Sequence, residues 1–337
     1  MLLGTALGDA LGLPMEGMSA AVVARYFPRV DRFHLLGRRG FVSDDTEQSA
    51  LIAQSLGRHA GAPDAIVRAF RRALLGWFLR LPWGIGWGTL RACARILVGV
   101  RESGVRTAGN GAAMRAAIVG AAYAEDAISR RLVGERLARV THTDPRAVAG
   151  ALFVGEVAAA CACAPHAQLD ARALVAEVGE PSLRSALELA VTLAEEGVDE
   201  GEAAARLGTS GFVLHSVPFA TYAFLRGGTP LEVIQRAIAA GGDTDSNAAI
   251  AGAFAGALHG ESGLPAALLE ELHDGPFGPT HLRALAAHLT PTEAIADGSS
   301  RGERLATYSP TLALARNLAL FPVVLVHAVR VVASRFV

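Results

Sequence analysis

Apolar positions along this chain recur at the three- and four-residue spacing of helices. No stretch alternates apolar and polar residues at the two-residue spacing of a half-buried strand, and no internal repeat is visible. Residues 1–12 predict a buried helix with small residues at Gly4, Ala6, Gly8 and Ala10, interrupted by Asp9 and ended by Pro14. Ser19 predicts the cap of a short helix through Tyr26. Helices are expected over 46–60, 64–80 and 89–100, then over 145–164, 170–178, 182–196, 201–206, 211–226 and 230–240. Two of these starts are explicit: Asp144 before Pro145, and the capping box Thr229-Pro230-Leu231-Glu232. Helical pattern returns over Ala248–Leu258, up to about residue 273, and over 280–289. The expected fold class is all-α, a multi-helix bundle, with residues 1–290 as its domain. Residues 291–310, rich in Pro, Gly and Ser, read as a linker, and 311–337 as an apolar C-terminal helix packed on the domain.

Composition narrows the picture. Of 337 residues, 51% are apolar and 19% charged, with abundant alanine, which suits close-packed helices in one large domain or two small ones. The net charge of −1 offers no nucleic-acid footprint. Three cysteines (Cys93, Cys161, Cys163) are too few and too odd for a disulfide framework, so a reducing cytoplasm is expected; a monomer is expected separately. The N-terminus lacks a basic region and meets an acid at Asp9, unlike a signal peptide. No stretch reaches the roughly 18 apolar residues needed to span a bilayer; the nearest is Leu318–Val326, which contains Pro322. No transmembrane segment is therefore expected.

The candidate chemistry lies in two short acidic turns about 200 positions apart, Ser43-Asp44-Asp45-Thr46 and Gly241-Gly242-Asp243-Thr244-Asp245-Ser246. Each opens a helical stretch. Ser and Asp are good N-caps, and Asp44 with Glu47 resembles a capping box, so a purely structural role is available to either turn. A cap needs one oxygen, however, and each turn offers three or more. Four carboxylates in one apolar interior would repel one another and lose hydration. The natural compensation is a hard divalent cation, or two, held through oxygen. Gly109-Asn110-Gly111, followed by Met114 and Arg115, forms a tight turn whose amides could face a phosphate. His142, before the Asp144 helix start, could face a ligand.

In this order the motifs Gly8-Asp9-Ala10-Leu11-Gly12 with Glu16, Ser43–Thr46, Gly109–Gly111 with Met114-Arg115, Thr141-His142 and Gly241–Ser246 resemble the ADP-ribosylglycohydrolases, the group that includes the dinitrogenase-reductase-activating glycohydrolase. The resemblance implies an orthogonal all-α bundle with a central cleft holding two Mg²⁺ or Mn²⁺. Their ligands would be Ser43, Asp44, Asp45, Asp243, Asp245 and Ser246; the family usually has Thr at the first and last of these. It implies Glu16 and Asp44 in catalysis, and Gly109, Asn110, Gly111, Met114 and His142 at the nucleotide. The implied reaction is hydrolysis at C1 of the distal ribose of ADP-ribose derivatives or ADP-ribosylated protein, through an oxocarbenium-like transition state. Arginine-specific members often carry Asp-Ile-Gly where this chain has Gly84-Ile85-Gly86, so arginine specificity is not implied. The alternative is an ADP-ribose-binding relative with little or no turnover. The aspartate loops of haloacid dehalogenases and prenyl-diphosphate synthases fit poorly: a helix rather than a strand precedes Asp243, and Gln48 stands where the latter motif needs an acid.

Overall fold

A computed structural model describes residues 1–164, 169–289 and 306–334. The described residues form seventeen α-helices joined by short loops, with isolated bridges but no sheet. They are α1 (Leu2–Gly12), α2 (Ala20–Tyr26), α3 (Asp44–Arg58), α4 (Pro63–Phe78), α5 (Trp87–Leu97), α6 (Ala117–Ala122) and α7 (Ala127–Arg139). Then come α8 (Pro145–Cys163), α9 (Ala171–Ala176), α10 (Pro181–Glu195), α11 (Glu200–Leu207), α12 (Val213–Leu225) and α13 (Pro230–Ala239). The chain closes with α14 (Thr244–His259), α15 (Ala266–Glu271), α16 (Pro279–Leu289) and α17 (Pro310–Ser334). The all-α expectation stands. Helix α7 is not among the expected helices: its four arginines and a glutamate hide a buried stripe of Arg130, Val133 and Leu137. The linker expected over 291–310 lies outside the described residues except at its last five positions.

The pair α1–α14 is the spine of the bundle. Gly4, Gly8 and Gly12 recur every fourth residue, so they form one stripe on α1. A methyl group at Gly8 would sit 2.0 Å from the carbonyl oxygen of Ala248, and one at Gly4 2.1 Å from that of Gly252. The two backbones therefore touch without intervening side chains. Thr244 completes the contact by donating its hydroxyl proton to the Gly12 carbonyl at 2.8 Å. This fixes the C-terminal end of α1 against the N-terminal end of α14, and the acidic residues of both ends meet there.

Helix α17 runs over the outside of the bundle. Arg316 pairs with the buried Glu47 of α3, and the Asn317 amide donates to the Arg80 carbonyl at 2.9 Å. Ala313 and Leu320 are buried on the same side. By length and composition two helices could cross a membrane, Pro145–Cys163 and Pro310–Ala333, which corrects the expectation that no stretch is long enough. Arg316 and Arg330 break the second into short apolar stretches in the sequence, which is why its full length is missed. Neither makes a clear transmembrane segment. The first is a core helix, 61% buried, and the second holds Arg316 and Asn317 against the domain.

Candidate active site

The two acidic turns, remote in sequence, converge. The Ser246 hydroxyl donates to Asp45 Oδ2 at 3.3 Å, and the Ser43 hydroxyl lies 3.4 Å from the same oxygen. Glu16, Asp243 and Asp245 each bring a carboxylate oxygen to within 4.8 Å of the others. Backbone pairing places Glu16 there. The Gly17 amide donates to the Gly242 carbonyl at 2.7 Å, and the Gly242 amide to the Met18 carbonyl at 2.8 Å. Gly241 and Gly242 both have positive φ (69° and 83°), a conformation that side chains disfavour, which explains the glycine pair before Asp243.

Capping is not what these carboxylates do. The start of α3 is capped from another helix: Asp9 accepts from the amides of Ser43 (2.9 Å) and Thr46 (3.1 Å) and from the Thr46 hydroxyl (2.5 Å). Glu47, the other half of the expected capping box, instead accepts from the Trp77 indole at 2.5 Å and pairs with Arg316. Neither Ser43 nor Asp243, the N-caps of α3 and α14, makes a side-chain capping bond. The capping role of Asp9 is one that sequence reasoning misses. Its single available signal is its place as the sole charge in an otherwise apolar, glycine-striped helix.

The electrostatics call for a cation. Burial, then the neighbouring Asp243 and Asp9 charges, push the half-buried Glu16 carboxyl up to about 7. Burial likewise lifts Asp9 to about 6 against its hydrogen bonds, and lifts Asp243. Asp44, Asp45 and Asp245 are held well above the usual carboxylate range by burial and then by neighbouring carboxylates: Asp45 beside Asp44, Asp9 and Asp243 beside Asp45, Glu16 and Asp243 beside Asp245. Among the described residues no arginine forms an ion pair with any of the six. Asp45 Oδ1 is buried without a hydrogen-bond partner. An orphaned acceptor amid mutually repelling, all-oxygen donors fits a hard divalent cation. The residues that could hold such ions are Asp44, Asp45, Asp243 and Asp245, with Glu16 and the hydroxyls of Ser43 and Ser246 alongside.

A test in the metal-free protein follows. A carboxyl whose pKa is higher in the fold than in the open chain favours folding while protonated. Its contribution is complete below the ordinary value and is lost as pH climbs through the folded value. For Asp9 and Glu16 that window runs from 3.8 and 4.5 to about 6 and about 7. With chelator present, Tm should fall between about pH 4 and pH 7, and excess Mg²⁺ or Mn²⁺ should remove most of that fall. A Tm that is flat over this range in chelator would contradict the cluster's electrostatics.

Above the acids lies a cleft of about 440 Å³, within the ordinary size of a small-molecule site. Glu16, Asp44, Asp243, Asp245 and Ser246 line it, as do Gly109, Asn110, Gly111, Met114 and His142. Ser43 and Asp45 are buried behind that lining. Trp87, which no sequence motif singles out, stands at the cleft 80% exposed. One expectation needs correction. The Asn110 amide does not present itself to a phosphate, because it donates to the Gly211 carbonyl at 2.9 Å. The Asn110 side chain donates to Asp243 Oδ2 at 2.6 Å, so this residue steadies a carboxylate. The turn itself is a single 3₁₀ turn (Asn110–Ala112).

Arg115 ties the two banks of the cleft together. It is buried against the Phe70 ring and donates to the Gln48 side-chain oxygen Oε1 and to the Thr141 hydroxyl. The Gln48 amide in turn donates to Asp44 Oδ2 at 2.9 Å. Thr141 Oγ1 lies 2.7 Å from His142 Nδ1. Oγ1 accepts from Arg115 and still has a proton and a lone pair to offer Nδ1, while Nε2 faces Gly88 and Gly109 on the cleft side. Burial and the Arg115 charge lower the His142 pKa to about 3, so the ring is neutral at ordinary pH.

Comparison with known proteins adds a family. The ADP-ribosylglycohydrolase family model matches residues 1–298. An uncharacterized protein of Archaeoglobus fulgidus is 33% identical over 287 residues, covering 82% of this chain and 91% of that protein. The ADP-ribosylhydrolase ARH3 of Xenopus tropicalis is 29% identical over 317 residues, covering 78% of this chain and 87% of its own. The solved structure of an ADP-ribosylglycohydrolase-related protein complex superposes with a TM-score of 0.64 at 26% identity, covering 86% of this chain and 94% of that one.

Proposed function

We propose, since the chain belongs to the ADP-ribosylglycohydrolase family, that its cleft hydrolyses the N- or O-glycosidic bond at C1 of an ADP-ribosyl ribose with the help of two Mg²⁺ or Mn²⁺ ions. One observation carries this reading: Glu16, Asp243 and Asp245 converge within 4.8 Å on the cleft wall, with repelling charge and, among the described residues, no paired counter-cation. When bound, the ions would supply charge neutralisation, a grip on vicinal hydroxyls and Lewis acidity toward water. The remaining work falls to the chain itself. Glu16, whose carboxylate stands beside Asp243 and Asp245 on the cleft wall, is placed to accept a proton from the attacking water. Carboxylates beside the sugar favour the positive charge that develops on its ring. The neutral His142 ring, with Nε2 on the cleft side, can hydrogen-bond a nucleotide oxygen or hydroxyl without adding a charge. Asn110 fixes Asp243, and the Arg115–Gln48 pair fixes Asp44, so both carboxylates are held before substrate arrives. A reducing cytoplasmic setting belongs to the same proposal.

The linkage is addressed by Gly84. A methyl there would stand 3.0 Å from Asp44 Oδ1, so this position looks straight at the acidic cluster. A chain with glycine here lacks a carboxylate for a guanidinium leaving group. Cleavage of ADP-ribosyl-arginine is therefore expected to be at least about tenfold slower than cleavage of an O-linked substrate. A panel of arginine-linked, serine-linked and O-acetyl substrates, assayed with and without each metal, tests both points. Rapid release from arginine overturns the specificity reading, and metal-independent turnover overturns the metal reading. The same missing carboxylate favours one second reading, a binder without turnover. Metal-dependent ADP-ribose binding with no product from any substrate selects it.

A further inference from the structure

Helix α17 turns to solvent a face that water-soluble chains rarely leave open. Leu318, Phe321, Leu325, Val329 and Val332 follow at helical spacing and are 54–63% exposed. The helix contains no acidic residue, and Arg330 is the only charge on its exposed side. Five large apolar side chains exposed in one stripe form a contiguous apolar patch, a feature that on a folded surface usually has an occupant.

The charge beside the stripe identifies that occupant. A groove separates α17 from the segment after α2, with Phe27, His34 and Leu35 on one bank and Val326, His327 and Arg330 on the other. Residues 19–40 hold five arginines and one acid, in a chain of net charge −1. Arg29 and Arg38 are paired with Asp31 and Glu271, while Arg25, over the Tyr26 ring, and Arg39 are exposed in the same segment that supplies the first bank. Tyr26 and Leu36, 53% and 47% exposed, carry the apolar surface in among them. Apolar side chains rimmed by arginines complement an anionic lipid surface. A second copy on the same patch would instead gather both arginine banks at one interface.

We propose that α17 docks the protein flat on an anionic bilayer, its apolar stripe in the acyl boundary and the arginines of residues 25–39 on headgroup phosphates. The helix lies along the surface because its other side is committed to the domain through Arg316–Glu47 and Asn317–Arg80.

Co-sedimentation of the full chain with vesicles of phosphatidylcholine alone, and of phosphatidylcholine enriched in phosphatidylglycerol, tests this. Binding to the enriched vesicles, weakened by added salt, is the expected result. The double variant Phe321→Asp, Leu325→Asp alters only exposed positions and should weaken binding at least about tenfold with Tm unchanged. Arg25→Glu with Arg39→Glu, which leaves α17 untouched, should do the same. Equal pelleting with both vesicle types, or none, overturns the proposal. So does a dimer in lipid-free solution that the Phe321→Asp, Leu325→Asp variant dissolves. ADP-ribosyl turnover in solution by these variants reads the cleft separately, so failure here leaves the hydrolase reading intact.

Discussion

Replacing Asp245 by asparagine is expected to abolish metal-dependent ADP-ribose binding while making the metal-free protein harder to melt. Both effects have one cause. Asp245 is buried, and the charges of Glu16, Asp243 and Asp45 bear on it. On the proposed reading a bound cation relieves that repulsion, and in its absence protonation does so in part. Without a cation, removal of a carboxylate relieves it instead, by about 1–3 kcal/mol. With the ions present, loss of one charged ligand should weaken affinity on the order of 100-fold or more. Calorimetry with ADP-ribose and Mg²⁺, paired with melting in chelator, measures the two halves. Asp9→Asn is the contrast: Asp9 caps α3 through two amides and a hydroxyl, so its loss should destabilise by about 1–2 kcal/mol. If both variants destabilise the metal-free protein alike, the acids are structural and the cluster is not strained.

The second large effect is expected at Gly8, far from any catalytic atom. In Gly8→Ala the new methyl would lie 2.0 Å from the Ala248 carbonyl oxygen, with α14 backbone as its nearest neighbours. No side chain can move aside, so the two helices must separate. Overpacking of this kind costs about 3 kcal/mol or more. It should also spread Glu16 from Asp243 and Asp245, so turnover should fall even where the protein remains folded. Gly256→Ala on the facing helix is a graded control, because its methyl would meet the Gly4 Cα at 3.2 Å and needs only a small shift. Urea denaturation of the three proteins should rank wild type, Gly256→Ala and Gly8→Ala in falling stability. A Gly8→Ala protein within about 0.5 kcal/mol of wild type would show that the helix pair is not the spine of the fold.

Much of this protein is legible in its amino-acid order alone. The three- and four-residue spacing of apolar positions and a few explicit starts, such as Asp144-Pro145 and Thr229–Glu232, locate most of the helices. The excess of carboxylate oxygen over what two caps require marks the acidic turns as chemical. Those properties are local: a helix period, a cap and a charge density are written in neighbouring residues. Convergence is not local, and only the tertiary structure decides it. Asp9 reads as a blemish in an apolar helix until α1 lies beside α3 and its carboxylate meets the Ser43 and Thr46 amides. Asn110 reads as a phosphate-binding turn until Gly211 takes its amide and Asp243 its side chain. The face of α17 left open depends on where Glu47 and the Arg80 carbonyl stand, hundreds of positions away. A single chain's sequence records which groups exist; which of them spend their hydrogen bonds and charges on one another is settled by packing in three dimensions.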